Sequence, residues 1–549
     1  MKRTNRIMAV YSACMIMAAS LSSCGSRSDT TDTSSKTENN SSAVDYYTES
    51  EESCDEEMYA LDTYGGYWEE EPEYPSYNEE YKGYSESGFK DPQVEPLSTF
   101  SADVDTASYT NVRRLLEDND YVPEDAVRIE EFINYFDYDY PQPEDGSAFS
   151  RNVEIADCPW NPDHKLIRIG IQGQEIQQQE APPSNLVFLI DSSGSMSSYD
   201  KLPLVQTAFS MLSEQLTKND RISIVTYAGS SETILSGEKG SHKDDILDAL
   251  YSIDASGSTN GEGGIETAYE LAEKYFIKGG NNRVILATDG DLNVGASSEE
   301  ELTRLIETKR DKGIYLSVLG FGTGNYKDAR MEALADNGNG NYNYIDSVDE
   351  AERVLVNEMS GTLYTIAKDV KIQVEFNPSQ VNSYRLIGYD NRLMDAEDFL
   401  DDTKDAGEVG SGHNVTVLYE VELAGSGDSY HGVPLEFGSE HKDNDYITSE
   451  DSGRSELCKL SIAYKTPVNE DNRNTSELFG MEKYNAKPSD SMKLAESVAE
   501  FAMLLKNSEY KGNSDYRHIL DVLDELENRN DEKVSELYDL VDIAYSIYD

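Results

Sequence analysis

The stretch that decides the fold reads Leu186-Val187-Phe188-Leu189-Ile190-Asp191-Ser192-Ser193-Gly194-Ser195: five apolar residues, one acid, then hydroxyls broken by a single glycine. An apolar run without alternation suits a strand covered on both faces, as in parallel sheets. Similar runs recur at Ile222-Ser223-Ile224-Val225, Val284-Ile285-Leu286-Ala287 and Ile314-Tyr315-Leu316-Ser317-Val318-Leu319. Between them, apolar residues fall at helical spacing over 204–216, 243–253, 263–276, 299–310 and 327–334. This alternation over residues 184–367 predicts an α/β domain: a mainly parallel, Rossmann-like sheet with helices on both faces.

In such a sheet ligands collect beyond the carboxyl ends of the strands, which is where Asp191 to Ser195 falls. Asp191, Ser193 and Ser195 stand at i, i+2 and i+4, so a tight loop turns one carboxylate and two hydroxyls inward. Hard oxygens of this kind suit a small hard cation such as Mg²⁺. Two more oxygen-bearing residues sit at strand-to-helix turns on the same expected edge: Thr259 in Gly257-Ser258-Thr259-Asn260, and Asp289 in Thr288-Asp289-Gly290.

Asp-x-Ser-x-Ser followed by a later Thr and a later Asp resembles the metal-ion-dependent adhesion site of von Willebrand factor type A domains, found in integrins and many bacterial adhesive proteins. The resemblance implies that Ser193 and Ser195 ligate a divalent ion directly, with Asp191, Thr259 and Asp289 contributing directly or through water. The implied ion is Mg²⁺, or Mn²⁺ or Ca²⁺ in its place. One coordination position would stay open to a carboxylate of a protein or glycan ligand. The activity implied is binding, not turnover.

Phe100-Ser101-Ala102-Asp103-Val104-Asp105-Thr106-Ala107-Ser108-Tyr109, then Asn111-Val112-Arg113-Arg114 and Glu131-Phe132-Ile133-Asn134-Tyr135-Phe136-Asp137-Tyr138, resemble the N-terminal module of a bacterial lipoprotein family. The resemblance runs from about residue 95 to the end. Members are often labelled calcium-activated chloride channel homologues, yet beyond the N-terminus no stretch approaches the ~18 consecutive apolar residues of a span that would line a pore. Asp103, Asp105 and Ser108 read as a helix N-cap with acids complementing the helix dipole rather than as a second metal cluster. Gly320-Phe321-Gly322-Thr323-Gly324 follows a strand but lacks the spacing of a dinucleotide fingerprint.

Around the α/β domain the chain divides further. Residues 1–23, with Lys2, Arg3 and Arg6 before an apolar run, have the layout of a secretory signal peptide. Leu21-Ser22-Ser23-Cys24 resembles the bacterial lipobox, which implies lipidation of Cys24, an extracytoplasmic location and attachment to the membrane through acyl chains. Residues 24–95 hold 20 acids against 4 basic residues and nine tyrosines, and read as a disordered, solvated acidic linker. Residues 96–180 are expected to form a small α+β module, with helices near 112–116 and 127–136 and strands near 152–155 and 166–171. Residues 368–549 are expected to form a C-terminal module, β-rich over 370–466 with the alternation of a sandwich and helical over 489–547.

A formal charge of -60 repels a phosphate backbone, which excludes nucleic acid as a partner. With Cys24 acylated and Cys14 removed, Cys54, Cys158 and Cys458 allow one intramolecular bridge at most. His164, His242, His413, His431, His441 and His518 form no catalytic motif, Ser195 is not in a Gly-x-Ser-x-Gly elbow, and no phosphate-binding loop is present. The sequence therefore points away from an enzyme. It points to a membrane-anchored lipoprotein whose type A domain binds a divalent cation and, through it, a protein or glycan. The alternatives are a noncatalytic envelope-assembly scaffold with a structural metal and, behind it, a metal-assisted hydrolase that lacks a general base and a pocket.

Overall fold

The computed structural model describes residues 79–102, 104–144, 146–176, 181–257, 261–290, 299–323, 327–425, 455–467 and 471–548. Cys24, Cys54, Asp103, Thr259, His431 and His441 lie outside the described residues.

The first helices and strands among the described residues are β1 (Leu97–Ser101), helices Ala107–Glu117 and Ile129–Tyr135, then β2 (Phe149–Asp157) and β3 (Lys165–Gly173). The α/β domain follows: β4 (Ser184–Asp191), β5 (Arg221–Tyr227), β6 (Ser231–Lys239), β7 (Asn281–Thr288), β8 (Tyr315–Phe321) and β9 (Tyr342–Ile345). Their spatial order is β6-β5-β4-β7-β8-β9, parallel throughout except that β6 runs antiparallel to β5 at the edge.

Every residue of β4 is buried, and its side chains alternate between two cores. Leu186, Phe188 and Ile190 face helices Leu202–Gln215 and Lys243–Tyr251 through Val205, Phe209, Leu212, Ile246 and Leu250. Val187 and Leu189 face helices Gly261–Lys274, Glu299–Arg310 and Asp328–Asn337 through Ile265, Ala268, Ile306 and Met331. A run apolar at both parities is what a strand with helices on both sides requires. Phe188 stacks on Phe209 with ring centroids 4.0 Å apart.

After the α/β domain come β10 (Thr365–Phe376), β11 (Val381–Ile387), β12 (Gly407–Gly410), β13 (Asn414–Leu423), β14 (Glu456–Lys465) and β15 (Asn472–Gly480). One antiparallel sheet is ordered β1-β10-β14-β15, with β12 also on β10, and a second is β11-β13-β3-β2. Their facing side chains, among them Phe100, Ile372, Val374 and Leu460 against Ile167, Ile169, Val417 and Tyr419, form one core. The expected C-terminal sandwich is present, and it also takes in all three strands of the N-terminal segment. The helices join in the same way: Ala107–Glu117 and Ile129–Tyr135 share a core with Asp490–Leu505, Tyr516–Asp524 and Glu532–Tyr548.

Residues 79–95, expected within the disordered linker, run along this body. Lys90 exchanges backbone hydrogen bonds with Tyr384 (2.8 and 3.0 Å), and Glu79 pairs with the buried Arg114 at 2.9 Å. A buried guanidinium needs a counterion, and Glu79 supplies it. Cys158 and Cys458 are buried free thiols, and burial pushes both well above the ordinary thiol range.

Ion pairs tie the flanking helices to the α/β domain. Arg113 reaches Asp346 at 2.6 Å, Glu350 at 3.0 Å and Glu536 at 3.1 Å, so residues from three segments meet on one guanidinium. Arg128 reaches Asp328 at 2.5 Å. Asp105 serves the same purpose, in place of the expected helix cap: its Oδ1 accepts from the Tyr342 N–H at 2.9 Å and its Oδ2 from Arg392 at 3.1 Å. The N-cap is Thr106, without a side-chain cap bond, and the Ser108 hydroxyl donates to the Ala126 carbonyl at 2.6 Å.

Candidate metal centre

β4 ends at Asp191 and β7 ends at Thr288, so the two neighbouring parallel strands deliver Asp191 and Asp289 to the same edge of the sheet. Thr288 closes the gap, its hydroxyl 3.4 Å from Asp191 Oδ2. Both acids are buried, Asp191 completely.

The loop after β4 is held on two sides. The Ser192 N–H donates to the Tyr227 carbonyl at 2.9 Å at the end of β5. The Ser256 N–H donates to the Ser192 carbonyl at 2.7 Å, and the Gly194 N–H donates to Gly257 at 3.1 Å. Gly257, at φ +87, adopts a conformation that an L side chain rarely takes. Thr259 itself lies outside the described residues, but the chain two residues before it braces the serine loop.

Within the loop the Ser193 N–H donates to Asp191 Oδ1 at 2.9 Å, and the Ser193 and Ser195 hydroxyls lie 2.9 Å apart. Ser193 is buried and Ser195 exposed, so the hydroxyl pair runs from the interior to the surface. Burial pushes the Asp191 carboxyl up to about 6; hydrogen bonds from Ser193 oppose the rise and the neighbouring Asp289 charge adds to it. The structure thus brings together Asp191, Ser193, Ser195 and Asp289. Two hydroxyls and two carboxylates form a hard-oxygen donor set that fits a small divalent ion, and the buried negative charge favours one.

One residue at this edge escaped the sequence reading. Lys201 Nζ lies 2.9 Å from Asp289 Oδ2, with the lysine side chain 12 % and the aspartate side chain 3 % exposed. Lys201 is also the N-cap of helix Leu202–Gln215, where the helix dipole disfavours a cation and no side-chain cap bond is made. The spacing of the sequence carries no signal for this role, because the partner Asp289 lies 88 residues away.

The described histidines are engaged elsewhere or far from this edge: His164 pairs with Glu420 at 2.6 Å and His518 with Glu500 at 3.2 Å. Among the described residues, one group of three His, Cys, Asp or Glu side chains converges, the half-buried Glu238 with the exposed His242 and Asp245, at the far end of β6.

Three family profiles match the chain: the von Willebrand factor type A domain over residues 185–357, a profile described as von Willebrand factor over 75–168, and one described as Uncharacterized protein YfbK, C-terminal, over 361–547. With the parallel sheet and the serine loop at its edge, they define a bacterial protein built around a von Willebrand factor type A domain. The chain belongs to the family of the Escherichia coli (strain K12) protein called Uncharacterized protein YfbK, to which it is 42 % identical over 446 residues, covering 80 % of this chain and 76 % of that protein. Among solved structures, the ArnB paralog VWA2 from Sulfolobus acidocaldarius is 15 % identical and covers 73 % of this chain and 98 % of its own, with a TM-score of 0.35. Proximal thread matrix protein 1 from the mussel byssus, described with a zinc-occupied MIDAS motif, is 21 % identical and covers 32 % of this chain and 45 % of its own, with a TM-score of 0.28.

Proposed function

We propose that this protein is an extracytoplasmic lipoprotein, attached to the membrane through Cys24, whose type A domain holds a divalent cation and binds a protein or glycan ligand that offers a carboxylate. The observation that carries the reading is the hydroxyl pair of Ser193 and Ser195, 2.9 Å apart beside the buried Asp191 carboxylate and open to solvent at Ser195. Ser193 and Ser195 would hold the ion, with Asp191, Thr259 and Asp289 behind them. Bound there, the ion supplies a positive centre on a surface whose overall charge repels acidic partners. No helix among the described residues is long and apolar enough to cross a membrane.

The surroundings favour an interface. Tyr199, four residues past Ser195, is 87 % exposed, and exposed aromatics are favoured anchors in binding surfaces. It borders a cleft of about 690 Å³ that runs between the α/β domain, at Asp200, Gly322 and Thr323, and the flanking helices, at Glu117 and Glu532.

The test is calorimetric titration of Mg²⁺ and Mn²⁺ into the full chain and its Asp191→Ala variant, followed by capture from the native envelope with and without chelator. Ion uptake lost in the variant, together with capture lost on chelation, supports the reading. Capture that survives chelation supports the scaffold instead, and no uptake by the wild type overturns the metal centre.

A further inference from the structure

We infer that Lys201 is a built-in counter-cation of this centre, which holds Asp289 in an ion pair and so keeps the affinity for the divalent ion low enough for exchange. The inference rests on the metal reading above and concerns what the chain does at Asp289.

Asp191 and Asp289 bring two carboxylates to one buried edge, and Lys201 supplies a compensating charge 2.9 Å from Asp289 Oδ2. The lysine is placed there, not merely present. Its stem crosses Gly322, where a Cβ would lie 2.3 Å from Lys201 Cε and 2.4 Å from Cγ, so the absence of a side chain at 322 makes the channel for it. Gly322 also has φ +73, which an L side chain rarely adopts. The helix that begins after Lys201 gains nothing from a cation at its N-cap. Backbone conformation, steric room and local electrostatics therefore converge on the pair with Asp289.

A divalent ion reaching the serine hydroxyls meets this ammonium in one of two ways. Either it approaches a like charge across the shared carboxylate, or Lys201 withdraws and leaves its partner to the ion. Both cost free energy that a neutral residue would not exact. The lysine thus competes with the ion for Asp289, and its ion pair with that buried carboxylate also steadies the ion-free protein.

The experiment compares the full-length wild type with Lys201→Met, which keeps the stem over Gly322 and removes the charge, and Lys201→Arg, which keeps the charge. Mg²⁺ affinity is read by calorimetry and thermal unfolding is followed with and without Mg²⁺. Expected are affinity about tenfold tighter or more in K201M, equal to ~1.4 kcal/mol or more, affinity within about threefold of wild type in K201R, and a lower melting temperature for ion-free K201M. If K201M folds poorly without ion, a larger Mg²⁺-induced rise in melting temperature than in wild type is the supporting result. Equal or weaker Mg²⁺ binding by K201M, or an equal rise, overturns the inference while leaving the metal centre standing. Failure of both proteins to take up Mg²⁺ removes the centre and the inference together.

Discussion

Arg113 Nη2 lies 2.6 Å from Asp346 Oδ1, both side chains 6 % exposed, joining helix Ala107–Glu117 to the loop after the last strand of the α/β domain. Glu350 and Glu536 complete the setting. Removing the arginine takes the guanidinium away from all three acids, although Glu350 keeps Arg353 at 2.5 Å. Arg113→Ala is expected to cost about 3–5 kcal/mol of unfolding free energy, measured by chemical denaturation. A loss below about 1 kcal/mol would mean that the junction is wet and weak.

Ser195 and Asp191 separate binding from stability. Ser195 is exposed, so Ser195→Ala is expected to change the stability of the ion-free protein by less than about 0.5 kcal/mol. The same substitution removes one of the two paired hydroxyls and is expected to weaken Mg²⁺ binding about tenfold or more in calorimetry. Unchanged ion affinity in Ser195→Ala would take this hydroxyl out of the metal centre.

Glu496 gives the fold a pH dependence. Burial, with Glu500 and Glu154 nearby, pushes its carboxyl up to about 8, and its Oε1 has no hydrogen-bond partner among the described residues. A raised carboxyl means that the folded state holds the proton more tightly than the unfolded chain. Its contribution is therefore complete below the ordinary value of 4.5 and is lost as pH rises through about 8. Glu496→Gln is expected to raise stability at pH 9 by about 2–5 kcal/mol relative to wild type, with little difference at pH 5, in melting curves across that range.

The two-sided core of the central strand is equally open to test. Phe209 stacks on Phe188 and is fully buried, so Phe209→Ala should cost about 3–5 kcal/mol and lower the melting temperature without altering the serine loop. Retention of Mg²⁺ binding in the variant below its melting point would show that packing and ion uptake are separable.

What was legible in the sequence followed burial. β4, β5, β7 and β8 are dense apolar runs because both faces are covered, and all four are legible in the sequence. β6 is not legible because it is a half-exposed edge strand interrupted by register shifts, and β9 because it has four residues. The helical pattern over 489–547 divides into three helices, Asp490–Leu505, Tyr516–Asp524 and Glu532–Tyr548, and the break after Asp524 has no signal in the spacing. Asp191, Ser193 and Ser195 were legible because they are consecutive with a strand. Lys201 was not, since its role depends on Asp289, 88 residues away, and on the empty space over Gly322. Asp105 is legible only as an acid before a helix, because its partners Tyr342 and Arg392 stand 237 and 287 residues away.

All strand pairings of the type A sheet fall within residues 184–345, whereas β3 at Lys165–Gly173 lies between β2 and a strand, β13, made some 240 residues later. In the order of synthesis, the guest is therefore complete before its host. The early strands must wait, unpaired on one side, until the last third of the polypeptide emerges. A chain cut short after the type A domain would keep its serine loop and lose the frame that carries it.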